Sequence, residues 1–443
     1  MSSVQLSDHF TYGKLFRFTL PPMIMMIFTS IYGVVDGFFV SNYVGKTPFA
    51  AVNLIYPFLM LLGAFGFMFG SGGSALIAKT LGEGDKSKAR KLFSLFIYVS
   101  IALALVIMTV SFFCLRPVSI LLGAEGELID YCVTYGRILL IALPFFILQF
   151  EFQTFFITAE KPGLGLFVTV FSGVTNMVLD YVFLAIFDWG LPGAAWATAG
   201  SQIVGGLISL IYFALPNKSL LRLTATGLDL KALIKACTNG ASEFVTNISM
   251  SLVSMLYNFQ LMRYAGENGV AAYGVLMYVS FIFVAIFLGY SVGVAPVVSF
   301  HFGAKHPKEL KNLLRKSLII IGVFSVCMLV LGEVLAKPFS RLYVGYDPEL
   351  FEMTERAFLI YSFSFLFTGM GIFGSAFFTA LNDGLTSAII SFLRTFLFQV
   401  VAVLLLPLLF KLDGIWFSVI VAEFLATAVT VIFLLVNKKK YGY

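Results

Sequence analysis

Apolar residues form long stretches along almost the whole chain, and short polar segments separate them. Each stretch has about 20 residues, the length of an α-helix that crosses the hydrocarbon core of a bilayer. No alternation with a period of two indicates the strands of a membrane barrel. The pattern predicts an all-α membrane protein with twelve spanning helices, at about residues 15–42, 48–78, 92–115, 130–158, 164–187, 192–215, 234–262, 270–300, 314–336, 355–381, 386–410 and 413–436.

The composition agrees with a lipid surrounding. Hydrophobic residues make up 59% of the chain and charged residues only 12%, whereas a soluble domain has about 25% charged residues. The four cysteines have no metal-binding or redox spacing. The net charge of +6 lies in loops rather than in a stripe, so we expect no nucleic-acid partner.

Lysines and arginines are concentrated in alternate loops. Of the 29, 20 lie in the N-terminal segment, the C-terminal tail and the segments 79–91, 159–163, 216–235 and 301–316. The opposite loops and nearby helix ends hold only eight. The positive-inside rule then predicts that both termini are cytoplasmic, and no cleavable signal is apparent at the N-terminus.

The two halves of the sequence repeat each other at an offset of 221 residues. Gly72 and Gly82 correspond to Gly293 and Gly303, and the register holds over more than 150 residues. Because each half has an even number of spans, both halves have the same orientation, as in transporters with parallel repeats. We predict an N-terminal lobe at 1–215, a cytoplasmic linker at 216–233 that forms a short surface helix, and a C-terminal lobe at 234–443.

Four polar residues of the N-terminal lobe lie at similar depth, roughly 8–10 Å from the outer ends of their spans. They are Asp36, Tyr135, Asp180 and Thr198, and Asn176 lies one turn from Asp180 on the same face. Their oxygens suit Na⁺, and two close carboxylates can also hold a proton. Sequence does not choose between these ions, and a hydrogen-bond network that only packs helices is the alternative.

Further charged residues lie near the predicted midplane of the C-terminal lobe. Glu243 and Arg394 are at similar depth, so an ion pair between them is plausible, and Glu423 is another partner for Arg394. Structural, substrate-binding and coupling roles all remain open for this pair.

Glu151 lies at a comparable depth in the fourth span, with Gln149 and Gln153 beside it. These residues are candidates for the substrate pathway, and a contact with another helix is the alternative. The repeat places no acid opposite the cluster of the first lobe, because positions 36, 180 and 198 correspond to Tyr257, Val401 and Val419. Ion coupling is therefore expected mainly in the N-terminal lobe.

A lumen with several carboxylates and one arginine favours cationic substrates. The chain also has 50 Phe, 19 Tyr and 15 Met, which offer flat and adaptable apolar surfaces. The segment GSGG at 70–73 lacks the Lys-Ser/Thr of a phosphate loop, and no other nucleotide motif is present, so no ATP is expected.

Several segments resemble the multidrug and toxic compound extrusion (MATE) family, and a MepA-like bacterial branch of it in particular. They are VVDGFFVSNYVG around Asp36, GSALIAKTLGEGD with its counterpart VAPVVSFHFGAKHP, TAEKP, and TNMVLDYVFLAIFDWGLPGAAWATAGSQ. The resemblance implies twelve helices in two lobes and ion coupling at Asp36, Asn176, Asp180 and Thr198, with Tyr135 as a further match. A helix 7 acid that couples cations in part of the family corresponds to Glu243, whereas a helix 10 acid is missing.

The resemblance implies a monomeric antiporter of the bacterial inner membrane, without a cofactor. It would export lipophilic cationic drugs in exchange for inward H⁺ or Na⁺. A lipid or lipid-linked sugar flippase of the same superfamily is the main alternative, although such proteins tend to have a basic lumen and extra helices. A polytopic enzyme would need clustered catalytic residues at a membrane face, which the sequence lacks.

Overall fold

The apolar stretches fold into helices in the computed structural model, which describes residues 4–443. Nine helical stretches within this range, and one pair bent by 51°, are long and apolar enough to span a membrane. Two of the nine turn sharply at Gly266 and Lys411, where φ is positive. Separating the helices at these turns gives twelve spans, which confirms the predicted architecture. The first three residues of the predicted N-terminal lobe lie outside the described range.

The N-terminal lobe contains six helices. They are α1 Tyr12–Tyr43, α2 Lys46–Gly82, α3 Lys86–Leu121, α4 Glu127–Thr158, α5 Pro162–Asp180 and α6 Gly190–Ala214, and α5 continues into a π-helical turn at Tyr181–Ile186. The C-terminal lobe contains α7 at 230–265, α8 at 267–303, α9 Pro307–Val344, the bent α10 of Pro348–Ser362 and Phe365–Ala380, α11 at 384–410 with a π turn at Leu393–Leu397, and α12 at 412–441.

The sharp turns follow the repeat. Gly45 between α1 and α2 corresponds to Gly266 between α7 and α8, and Gly190 before α6 corresponds to Lys411 before α12. All four have positive φ, between 52° and 99°. The backbone of one half is thus reproduced in the other, even where lysine replaces glycine.

Glycine contacts join the two lobes at the end of the bundle that carries the basic loops, hereafter the basic end. A Cβ atom on Gly82 would lie 2.0 Å from the carbonyl oxygen of Phe300. Its counterpart Gly303 would meet the carbonyl oxygen of Lys79 at the same distance. Because residues 79 and 300 also correspond in the repeat, α2 and α8 cross about an internal twofold axis. No side chain fits there, so the lobes are closed at this end.

The segment before each lobe packs against the other lobe. The first leader, residues 4–11, precedes α1 but lies on α9, where Phe10 N donates to Glu309 Oε1 at 3.0 Å. The second leader, residues 216–229, precedes α7 but lies on α3, where Thr224 N donates to Ser94 Oγ at 2.8 Å. The leaders therefore cross between the lobes at the basic end.

The predicted surface helix in the linker is wrong. Residues 216–229 have no helical turn, and α7 begins at Leu230 after the capping residue Asp229, whose side chain accepts from Ala232 N. The linker backbone is bound instead by side chains of α3, including Arg90 Nε, which donates to Leu220 O at 3.0 Å. Side chains of α3 thus bind backbone groups of the linker that would bond to one another in a helix.

Candidate functional site

Helices α1, α5 and α6 bring the predicted acid cluster together in the N-terminal lobe. Thr198 Oγ1 donates to Asp36 Oδ1 at 3.2 Å, and Asn176 Nδ2 donates to the same oxygen at 3.4 Å. The Asp180 carboxyl group lies next to that of Asp36. The predicted residues therefore converge from three helices. Asp36 on α1 lies 140 residues before Asn176 and 162 residues before Thr198 in the sequence.

Three oxygens of this cluster are buried without a hydrogen-bond partner among the described residues. They are both carboxylate oxygens of Asp180 and the amide oxygen of Asn176. Asp180 is fully buried, and Asn176 is 1% exposed. A bare carboxylate in such a place costs several kcal/mol. A proton on this pair or a cation between these oxygens would remove that cost.

The chemistry of the oxygens fits either a proton or a hard monovalent cation. Carboxylate, amide and hydroxyl oxygens are hard ligands. Nowhere in residues 4–443 do three or more His, Cys, Asp or Glu side chains form a group that could hold a metal ion. The cluster thus lacks the crowded acidic ligand set of a tightly bound divalent metal.

Small residues and a π-helical turn place Asp180. A Cβ atom on Gly173 would lie 2.5 Å from the ring of Phe28 on α1, so α1 and α5 approach closely at this level. Directly after Asp180 the helix widens into the π turn Tyr181–Ile186, in which Phe187 N donates to Val182 O at 3.0 Å. Wide turns of this kind are frequent at functional sites, since they rotate the side chains before and after them.

Three tyrosines lie within electrostatic range of Asp36. Tyr135, predicted from sequence, is buried on α4 with its hydroxyl group near Thr198. Tyr32 on α1 and Tyr56 on α2 also interact electrostatically with Asp36, and neither was predicted from the sequence. Tyr32 precedes Asp36 by one helical turn, a signal that could have identified it. No sequence pattern places Tyr56 near Asp36, because Tyr56 is on a different helix, α2, whose position beside α1 is set only by the tertiary fold.

In the C-terminal lobe, Arg394 pairs with Glu423 rather than with Glu243. Arg394 Nε lies 2.9 Å from Glu423 Oε2, and both side chains are largely buried. The stem of Arg394 packs over Gly371, where a Cβ atom would lie 2.6 Å from Arg394 Cδ. This packing and the π turn at Leu393–Leu397 direct the guanidinium group towards α12. The suggested Glu243–Arg394 ion pair is therefore wrong, although Glu243 still lies within electrostatic reach of Arg394.

Two deep polar residues of α4, Glu151 and Gln149, bind neighbouring helices. Ser100 Oγ on α3 donates to Glu151 Oε1, and Glu151 is fully buried. Gln149 Nε2 donates to Ser172 Oγ on α5 at 3.2 Å. Gln153 is 6% exposed. The structure therefore favours a contact with α3 for Glu151, one of the two alternatives that the sequence left open.

The C-terminal lobe fills the counterpart of the acid cluster with an aromatic network. Tyr257, which corresponds to Asp36, donates through its hydroxyl group to Gln399 Oε1 at 2.7 Å. Its ring stacks on Tyr273 with 5.3 Å between centroids. Among the described residues, two adjacent carboxylates thus lie in the N-terminal lobe, and none lies at the corresponding position of the C-terminal lobe.

Comparison with known proteins agrees with this architecture. The chain is 26% identical over 420 residues to "Multidrug export protein MepA" of Staphylococcus saprophyticus, covering 92% of this chain and 90% of the relative. It is 28% identical over 418 residues to the protein of the same name from Staphylococcus haemolyticus, covering 93% and 90%.

Solved structures share the fold. One described as "Outward-facing conformation of a multidrug resistance MATE family transporter of the MOP superfamily" superposes with a TM-score of 0.94 at 22% identity, over 100% of this chain and 99% of that one. The MatE family model matches residues 21–182 and, separately, residues 244–405, which contain most of α1–α5 in the first half and of α7–α11 in the second. With both halves matched in this way, the chain belongs to the MatE family.

Proposed function

We propose that this protein exports lipophilic organic cations and related drugs across a bacterial plasma membrane, in exchange for H⁺ or Na⁺ that enters through Asp36 and Asp180. The observation that carries the proposal is the buried Asp180, whose two oxygens have no partner beside a second carboxylate. The export function is supported by the family to which the chain belongs and by relatives that are named multidrug export proteins. Both termini and the basic end face the cytoplasm by the positive-inside rule.

Helix α1 connects the ion site with the contact between the lobes. Its outer half carries Asp36, and its inner half carries Pro22 and Thr19, which lie against Gly289 and Gly293 of α8. Binding of a proton or Na⁺ removes negative charge from the cluster and changes how α1 packs on α5 and α6. A bend at Pro21 and Pro22 would pass this change to the closed basic end.

The charge of the lobe interiors favours a cationic substrate. Asp36, Asp180 and Glu243 are acidic, whereas Arg394 is neutralised by Glu423. Lipid-linked sugars carry phosphates, so a flippase would need cationic side chains in this region. The interior described here therefore favours drug export over the flippase alternative. We also propose a monomer as the working unit.

The coupling role is tested with purified protein in proteoliposomes, under separately imposed pH and Na⁺ gradients. Efflux of a fluorescent organic cation should follow one of the two gradients. Asp180→Asn should retain drug binding but lose gradient-driven efflux, because an amide cannot exchange a proton and is a weaker Na⁺ ligand. Glu125→Gln, on an exposed loop, is the matched control. Gradient-driven efflux by Asp180→Asn at the wild-type rate would exclude the proposed coupling site.

A further inference from the structure

We propose that a pocket at the basic end, between the start of α3 and the linker, binds the phosphate headgroup of an anionic membrane phospholipid. The pocket has a volume of about 570 Å³. Its walls carry Lys88 and Lys91 of α3, Lys231 of α7 and one carboxylate, Asp229. The proposal does not depend on the transported compound, since the pocket lies outside the acid cluster.

The repeat shows what such a groove binds in the other lobe. Lys88, Lys91 and Leu95 line the pocket, and they correspond at the 221-residue offset to Glu309, Asn312 and Lys316 of α9. All three of the α9 residues bind the backbone of the first leader. Glu309 accepts from Phe10 N, whereas Asn312 Nδ2 and Lys316 Nζ both donate to Phe10 O, at 3.0 Å and 2.5 Å.

The second leader leaves the corresponding face of α3 open. Its backbone is bound by the adjacent helix face, through Arg90, Ser94 and Tyr98. The face with Lys88 and Lys91 therefore borders a cavity, and among the described residues neither side chain bonds to the linker segment that also lines this cavity. On α3 the acceptor Glu309 is replaced by the cation Lys88. A molecule bound at this face must therefore supply negatively charged oxygens rather than a peptide N–H group.

The charge of the pocket is not neutralised by the protein. Among the ion pairs of residues 4–443, none involves Lys88, Lys91 or Lys231. The one carboxylate, Asp229, already accepts from Ala232 N as a helix cap. Basic pockets beside membrane helices on the cytoplasmic side are typical sites for anionic headgroups.

The position of the pocket supports a lipid rather than a free phosphate compound. After Lys91, α3 continues without a charged residue until Arg116, so the pocket lies where the apolar span begins. Beside it, Leu228, Leu230 and Ile234 are 71%, 62% and 64% exposed. Exposed aliphatic side chains next to a cationic pocket match a molecule with a phosphate head and acyl chains.

The test is native mass spectrometry of the full-length protein with added phosphatidylglycerol or phosphatidylcholine. We expect one phosphatidylglycerol to bind at a concentration about a hundredfold lower in wild type than in the Lys88→Gln, Lys91→Gln, Lys231→Gln triple variant. That ratio equals about 2.8 kcal/mol at 1.4 kcal/mol per factor of ten. The corresponding Lys→Arg triple variant keeps the charge and should bind as wild type does, which also shows that the site tolerates substitution.

A matched control removes three exposed lysines from the same end of the bundle. The Lys308→Gln, Lys311→Gln, Lys439→Gln variant should retain phosphatidylglycerol binding, since none of these residues lines the pocket. An equal loss in this control would overturn the proposal in favour of a diffuse surface charge. Equal binding of phosphatidylcholine, or displacement of the lipid by millimolar inorganic phosphate, would overturn it in favour of a site without lipid selectivity.

Discussion

The paired glycines at the basic end allow a quantitative test of the closed state. In Gly303→Ala the new Cβ atom would lie 2.0 Å from Lys79 O, whereas even tight Cβ contacts begin at about 3.0 Å. Both partners are helix backbone, so the lobes must separate by about 1 Å. Overpacking of this kind costs typically 1–3 kcal/mol, which changes the ratio of closed to open molecules by a factor of about 5 to 150.

The assay is pulsed electron resonance between spin labels at positions 83 and 305, one in each lobe at this end. The four native cysteines are first replaced, as they would otherwise be labelled. Gly303→Ala and its repeat counterpart Gly82→Ala should each increase the fraction of long distances. Gly322→Ala is the control, because its Cβ atom would have no neighbour within 4 Å. Distance distributions identical to wild type in both variants would refute the view that these glycines hold the lobes together.

Other substitutions test the remaining parts of the structure. Arg394→Ala leaves Glu423 buried without its partner, so thermal melts in detergent should show a loss of about 3–5 kcal/mol; a melt unchanged from wild type would contradict a buried ion pair. Tyr56→Phe removes a hydroxyl group near Asp36 and should change the pH or Na⁺ dependence of efflux without lowering the melting temperature; an unchanged dependence would exclude Tyr56 from the site. Burial of Asp383 opposes its ionisation, but hydrogen bonds from Tyr441 and Thr386 outweigh it and hold the pKa of Asp383 below its ordinary value. Its ionised form should therefore stabilise the fold above about pH 4, and Asp383→Asn should cost about 1–3 kcal/mol at pH 7, a difference that disappears as the pH falls through the folded pKa; a difference constant over this range would contradict it.

Sequence predicted the features that depend on local pattern. Span length follows from the apolar stretches, and the repeat follows from residues such as Gly82 and Gly303, which the fold needs at each crossing. The convergence of Asp36, Asn176 and Thr198 followed from depth, because helices of known direction place residues of equal depth at one level.

Depth did not predict which way a side chain points around its helix. Arg394 has Glu243 and Glu423 at comparable levels, and only the π turn and the packing over Gly371 select Glu423. The local sequence pattern also did not predict the conformation of the linker. Its backbone is held by Ser94 and Arg90, which lie 130 residues away in the sequence.

The crossed leaders have a consequence for how this architecture arose. Each six-helix half has a groove that is contacted by a segment belonging to the other half, at α9 by residues 4–11 and at α3 by residues 216–229. This is the arrangement of a domain-swapped dimer whose two chains have been joined end to end. In such a dimer the exchanged arms would be identical. In the present chain the arm on α9 is bound by Glu309, whereas the arm on α3 leaves a neighbouring helix face beside a cavity that a ligand can enter.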